Sequence, residues 1–279
     1  MQRKRITITL KSEVLKALDK KVDGETIRNR SHAVESLLSK VLLKKPTKAL
    51  VLAGGKEIRL SQLGRDLPKA MLPINGRPLL EHTILKLKAS GVEEIIISIK
   101  QGGHKIRDYF RNGSRFGLDI TYVEQNQNNK GTAQPVLQVQ ARLMDDSFFL
   151  IYGDVLANIN FADFLEFHEN QKNQIATMAL ASVDKTSMWG VAKLVGSKIV
   201  DFYEKPKNNV TQSHLVNAGI YVLSPKIFEY LNLDMVKLES DLFPRLAEEN
   251  RLGGYSFGGN WCDVSSPQAY AQALRDWKN

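Results

Sequence analysis

The sequence contains one cysteine, Cys262, among 279 residues. It therefore cannot close an intrachain disulfide or build a cysteine-rich zinc site, and its stability must come from a packed core. Aromatic residues are sparse, at 8%. No stretch approaches the ~20 uninterrupted apolar residues that a membrane-spanning helix requires. The opening Met1-Gln2-Arg3-Lys4-Arg5 runs into alternation rather than into the apolar core of a signal peptide. These absences predict a cytoplasmic protein with no membrane segment. The five histidines, His32, His82, His104, His168 and His214, show no metal-ligand spacing, which argues against zinc. No internal repeat or low-complexity tract interrupts the chain.

What is present is an apolar content of 43%, enough for a core, in a chain whose length at ~100–200 residues per domain suggests a large domain plus an appendage. Lys and Arg number 39 against 30 Asp and Glu, a formal charge of +9. That charge is uneven. Residues 1–48 hold 13 basic and 5 acidic side chains, a net of +8, whereas 49–279 hold 26 and 25, a net of +1. With Pro46 disfavouring helix at the residue before it, the shift predicts two domains, 1–45 and 46–279.

In the first domain Ile6, Ile8 and Leu10 alternate with Arg5, Thr7, Thr9 and Lys11, the period-2 pattern of a strand with one apolar and one polar face. Ser12 is positioned to cap a helix carrying Val14, Leu15, Leu18 and Val22, Asp23-Gly24 reads as a turn, and Ser31 is positioned to cap a second helix carrying Val34, Leu37, Leu38, Val41 and Leu42. Some 45 residues bury little surface, and a lone strand is an unpaired edge, so the physical solution is a dimer joined through the strands. This order, with the residues Arg5 to Leu10 and Asn29-Arg30-Ser31, resembles the ribbon-helix-helix family. The resemblance implies an intertwined dimer whose ribbon enters the major groove of double-stranded DNA, with Arg5, Thr7 and Thr9 facing base edges and free backbone N–H groups near Ser31 holding a phosphate. The plainer alternative is a unit that only dimerises what it is fused to, its basic residues forming a solvated face.

The second domain opens on the apolar run Ala49-Leu50-Val51-Leu52, followed by Ala53 and the pair Gly54-Gly55. Short apolar runs recur at 95–99, 118–123 and 148–152, alternating with helix-like segments at 79–90, 105–111 and 132–143. This is the pattern of an α/β fold, a Rossmann-like, mostly parallel mixed sheet flanked by helices, with ligands expected beyond the carboxyl ends of the strands. Segments 188–194, 198–203 and 219–223 read as further strands, one hairpin turning at Gly196-Ser197.

Glycines after an apolar strand let backbone N–H groups approach phosphate oxygens. Here they introduce Leu52-Ala53-Gly54-Gly55-Lys56-Glu57-Ile58-Arg59-Leu60 and Leu67-Pro68-Lys69-Ala70-Met71-Leu72-Pro73-Ile74. Further pieces follow in order: Gly131-Thr132-Ala133, Tyr152-Gly153-Asp154, Trp189-Gly190-Val191, Glu204-Lys205-Pro206, Asn217-Ala218-Gly219-Ile220-Tyr221 and Trp261-Cys262-Asp263-Val264. Together they resemble the sugar-1-phosphate nucleotidyltransferase family from residue 48 to about 277. The resemblance implies the nucleotide-diphospho-sugar transferase fold and an enzyme that joins a nucleoside triphosphate to a sugar-1-phosphate, releasing pyrophosphate. Two polyanions must meet, so catalysis would be charge neutralisation and positioning.

By that resemblance Arg59 would contact the triphosphate, and Lys69 would neutralise charge near the α-phosphate. Ala53, Gly54, Gly55, Gly131 and Thr132 would line the nucleotide. Glu204, Lys205, Gly190 and Asn217 would form the sugar-phosphate side, and Asp154 and Asp263 would share a Mg²⁺. Gln125 is the candidate reader of the base, with Glu124 adjacent. Each residue has a bland reading: a strand-end Asp as a turn former, Lys205 as a surface turn before Pro206, and Asn217 as a backbone partner. Cys262 reads as a small buried hydrophobe rather than a nucleophile. The protein would work as a homodimer or a dimer of dimers.

The sequence also departs from the pattern. The family's loop reads Gly-Gly-x-Gly-Thr-Arg-Leu, whereas Glu57 and Ile58 stand at the later Gly and the Thr, and Ala70 replaces the proline after the signature lysine. Glu57 removes backbone freedom and adds negative charge where phosphates would sit. Two functions therefore stand: the nucleotidyltransferase, and a DNA-binding regulator whose altered domain senses a sugar phosphate or nucleotide sugar without turning it over.

Overall fold

A computed structural model of the chain describes residues 6–24, 27–42, 47–55, 58–60, 65–100, 103–125, 131–207 and 212–277. The chain divides into two compact units, Met1–Lys45 and Pro46–Asn279.

In the first unit two helices, α1 (Ser12–Asp19) and α2 (Arg30–Leu42), lie in the two predicted helical stretches. Leu18 and Ala33 are buried, and Arg30 forms a two-pronged ion pair with Asp19 at 2.6 and 2.8 Å, tying α1 to α2. The caps differ from expectation. Lys11, not Ser12, is the N-cap of α1 and makes no side-chain bond. At α2 the Asn29 side chain accepts from the His32 N–H at 2.9 Å, taking an N–H that a phosphate near Ser31 would have used. The Asp23-Gly24 turn forms, with the Ile27 N–H donating to Asp23 Oδ1 at 2.8 Å. Residues 6–11 do not form the predicted strand, since no described strand runs beside them to pair with and alternation alone does not hold a ladder. Ile6, Ile8 and Leu10 are 70%, 48% and 38% exposed. Thr7 and Thr9 are exposed too, while Arg5 lies outside the described residues.

The second unit is built on nine strands: β1 (Thr47–Leu52), β2 (Val92–Lys100), β3 (Asp119–Gln125), β4 (Phe148–Tyr152), β5 (Ala176–Ser182), β6 (Gly190–Val195), β7 (Lys198–Glu204), β8 (Leu215–Leu223) and β9 (Leu252–Ser256). They form one sheet in the order β5-β9-β7-β6-β8-β4-β1-β2-β3, with β5 also paired to β8. The β3-β2-β1-β4 half is parallel, as are β5 and β9. The pairings of β8 with β4, β5 and β6, and of β7 with β6 and β9, are antiparallel. The sheet is mixed, as expected, but less parallel than expected, its antiparallel pairings being nearly as extensive as its parallel ones. The reason is local: the later strands turn back by hairpins, as β6 and β7 do at Val195 and Lys198, instead of crossing over through helices.

Alternation along β1 explains the layering. Ala49 and Val51 pack into one core with Leu80, Ile84, Leu87 and Phe110 from helices Leu79–Ala89 and His104–Phe110. Leu50 packs into a second core with Val136, Phe243 and Leu246 from helices Ala133–Gln138 and Phe243–Glu248. Both faces are covered, which is why β1, β2 and β4 read as continuous apolar runs. Each fully buried Ile or Leu contributes about 1.5–3 kcal/mol relative to exposure. The predicted helix over 132–143 is two pieces, Ala133–Gln138 and a 3-10 turn Gln140–Arg142. Among the described residues no helix is long and apolar enough to cross a membrane.

Candidate active site

The parallel half of the sheet delivers the carboxyl ends of β1 and β4 side by side. The Gly153 N–H donates to the Leu52 carbonyl at 2.9 Å, so Asp154 emerges just past both strands. A short ladder between Val155–Ala157 and Trp261–Asp263 sets Asp263 opposite Val155, and the Val264 N–H donates to the Asp154 carbonyl at 2.8 Å. Two carboxylates 109 positions apart in sequence are thereby brought together. Lys69, opening the turn Lys69–Met71, places its Nζ 2.8 Å from Asp154 Oδ2. The Trp189 indole Nε1 donates to Asp263 Oδ2 at 2.8 Å.

Burial, with Asp154 as the like-charged neighbour, raises the Asp263 carboxyl above its ordinary range. The Trp189 indole N–H, the Lys69 ammonium and a hydrogen bond from the Ser265 side chain offset this in part. A hard divalent cation that takes oxygen ligands fits this donor set. Among the described residues no group of three or more His, Cys, Asp or Glu gathers as a metal site. Ligands beyond the two carboxylates would therefore be phosphate oxygens and water.

Among the residues predicted for the sugar phosphate, Gly190 faces Glu204 in the β6–β7 ladder. A Cβ at Gly190 would lie 2.3 Å from the Phe202 ring and 2.8 Å from Glu204 Oε2, so only glycine leaves room for both. Burial, then the neighbouring Glu239, raise the Glu204 carboxyl. Lys205 is exposed, sits at φ +46°, and donates its N–H to the Trp189 carbonyl at 3.2 Å, which couples this turn to the residue that holds Asp263. Asn217 is buried and its Oδ1 accepts from the Gly219 N–H at 3.0 Å, the plainer of its two readings.

Among the residues predicted for the nucleotide, the Ala53 N–H is already bonded to the Ser98 carbonyl at 2.8 Å, so it is not offered to phosphate. Gln125 is buried against Gly54 and donates from Nε2 to Ser98 Oγ at 3.0 Å. The Thr132 N–H donates to the Val236 carbonyl at 3.0 Å, and its hydroxyl donates to Glu239 Oε2 at 2.7 Å. The backbone of Arg59 lies in the hairpin of Ile58–Leu60 with Arg65–Leu67. The side chains of Arg59 and Ile58, and all of Glu57, lie outside the described residues. Ala70, at the proline position, fills the core beside Val51.

Three participants were not singled out by sequence. Trp189 and Tyr152 stood in recognised motifs only as spacers, and Glu239, in the short helix Leu238–Asp241, carried no signal at all. The Tyr152 hydroxyl donates to Glu239 Oε1 at 2.6 Å. Cys262 is half-buried, and burial with Asp263 and Asp276 nearby pushes its thiol up to about 11, which suits a hydrophobe better than a nucleophile.

The chain matches the family described as nucleotidyl transferase over residues 48–279. It is 31% identical to mannose-1-phosphate guanylyltransferase 1 of Arabidopsis thaliana, covering 82% of this chain and 64% of that one. It is also 31% identical to a mannose-1-phosphate guanyltransferase of Yarrowia lipolytica, covering 80% and 62%. The chain thus spans less than two thirds of the length of these relatives. Among solved structures, a Bacillus anthracis protein proposed as a glucose-1-phosphate thymidylyltransferase and crystallised with sucrose superimposes with a TM-score of 0.75 at 26% identity. That match covers 84% of this chain and 97% of the other.

Proposed function

This chain belongs to the nucleotidyl transferase family, and from that premise we propose that residues 46–279 transfer a nucleoside monophosphate from a nucleoside triphosphate to a sugar-1-phosphate. A phosphate oxygen of the sugar-1-phosphate attacks the α-phosphorus in line; that bond forms as the bond to pyrophosphate breaks. The observation that carries the reading is the meeting of Lys69, Asp154 and Asp263 at the carboxyl ends of β1 and β4.

Lys69 neutralises charge on the α-phosphate, and Lys205 holds the sugar phosphate. Arg59 and the Gly54-Gly55 backbone receive the triphosphate. Glu204 accepts from sugar hydroxyls, with Gly190 and Asn217 shaping that side, while Gln125, Gly131 and Thr132 border the nucleoside. A Mg²⁺ held by Asp154 and Asp263 would neutralise charge on the reacting phosphates. Little covalent chemistry is asked of the protein; its work is alignment and charge placement.

Pyrophosphate release across nucleoside triphosphates and hexose-1-phosphates with Mg²⁺ tests the proposal. Release that falls at least about a hundredfold in Asp154→Asn, on the scale of losing one electrostatic contact to the transition state, supports it. No release with any pair, together with nucleotide-sugar binding by calorimetry, overturns it in favour of the sensor.

The first unit carries a separate proposal, motivated by its exposed Ile6, Ile8 and Leu10. These pair with the same stretch of a second copy, completing a ribbon-helix-helix dimer whose Arg5, Thr7 and Thr9 meet double-stranded DNA. Gel shifts with random-sequence DNA test it: binding that weakens steeply with salt is expected, and none at low salt overturns the DNA contact.

A further inference from the structure

Residues 236–239 contact both the Gly131-Thr132 turn and the end of β4. Gly131, at φ +101°, packs so closely on the Val236 carbonyl that an added Cβ would sit 2.1 Å from its oxygen. The N–H groups of Thr132 and Ala133 both donate to that carbonyl, at 3.0 and 3.1 Å. The Thr132 hydroxyl accepts from the Leu238 N–H at 2.9 Å and donates to Glu239 Oε2 at 2.7 Å. The other oxygen of Glu239 accepts from the Tyr152 hydroxyl at 2.6 Å. One carboxylate therefore joins the 131–133 turn to the end of β4, two residues before Asp154.

We propose that Glu239 is a positioning residue: its carboxylate, shared between the Thr132 and Tyr152 hydroxyls, fixes the Gly131-Thr132 turn in register with Asp154. What the turn holds rests on the proposed function; the tether does not. A carboxylate suits the task because it is acceptor-only with two oxygens, and hydrogen bonds to an ionised acceptor are short and strong. A glutamine offers one acceptor oxygen and turns an NH₂ toward the second hydroxyl, so it satisfies one side of the bridge only.

Amide hydrogen exchange on the full, ligand-free chain reads the tether directly. In Glu239→Gln and in Thr132→Val, the amides of residues 132 and 133 are expected to exchange roughly ten to thirty times faster, the loss of one to two charge-assisted bonds. Thr132→Ser, which keeps the hydroxyl, is expected to restore near-parental exchange. Kinetically, Glu239→Gln is expected to raise KM for the nucleoside triphosphate about tenfold while kcat stays within about threefold, the mark of lost positioning rather than of a smaller folded fraction. Unchanged exchange at 132–133 in Glu239→Gln overturns the proposal. So does faster exchange with an unchanged KM, which leaves a tether without a positioning role. Should Glu239→Gln fail to fold, the contrast between Thr132→Val and Thr132→Ser decides. Failure of the functional reading shows separately, as a parental chain that releases no pyrophosphate while its exchange still responds to Glu239→Gln, and that result leaves the tether standing.

Discussion

At the scale of single residues, the site depends on what is small or polar at a few contact points. Replacing Gly190 by Ala forces a methyl against Phe202 and Glu204 Oε2. The expected cost is about 1–3 kcal/mol of stability, together with a raised KM for the sugar phosphate as Glu204 is displaced; denaturant titration and steady-state kinetics measure the two effects. Trp189→Phe preserves a ring beside Trp261 but removes the N–H held by Asp263. Outer-shell donors of this kind are worth roughly ten- to a hundredfold in metal affinity, so calorimetric titration with Mg²⁺ should show weakening of that order, and an unchanged affinity would show that the indole bond is incidental. Asp154, Asp263 and Lys69 were legible because each stands next to an apolar strand or a proline-bounded turn. Asn217 was legible only as a choice, and the structure shows it spending its oxygen on the backbone. Glu239 was illegible, since its meaning lies in Thr132 and Tyr152, about 107 and 87 positions away in sequence.

At the scale of elements, strands made of large β-branched and aromatic residues announced themselves, and strands made of small ones did not. β2 and β4 contain Ile95-Ile96-Ile97 and Phe148-Phe149-Leu150-Ile151. β5, Ala-Thr-Met-Ala-Leu-Ala-Ser, and β9, Leu-Gly-Gly-Tyr-Ser, were missed because Ala and Gly carry little strand preference and are placed by their neighbours. The hairpin at Gly196-Ser197 was readable, but the antiparallel return of β8 between β4 and β5 was not, since direction is set by partners rather than by pattern. Residues 6–11 alternate as a strand does but form none, and the proposed ribbon would supply the partner they lack. Ile8→Lys, placed in the middle of that proposed ribbon, is expected to convert a dimer into a monomer in sedimentation at micromolar concentration. A parental chain already monomeric there would refute the pairing.

At the scale of the whole molecule, the formal charge of +9 proves to belong to the first 48 residues, so the second unit meets its ligands with placed groups rather than a broad field. Its stability carries one strongly placed titration. His168 is buried, lies 2.7 Å from the Thr177 hydroxyl, and burial lowers its pKa from 6.5 to about 4. Between those two values the unfolded chain takes up a proton that the folded chain refuses. Stability present above pH 6.5 is therefore lost as the pH falls to 4, by up to about 3 kcal/mol. Denaturant titrations at pH 7 and 4.5 should show this slope in the parental protein and a shallower one in His168→Gln. The pairing of Lys69 with Asp154 has a last consequence. With both carboxylates ionised, Asp154, Asp263 and Lys69 sum to one unit of negative charge. On the proposed function, this excess of negative charge among the three favours a polyanion that arrives with its counter-ion over a bare one.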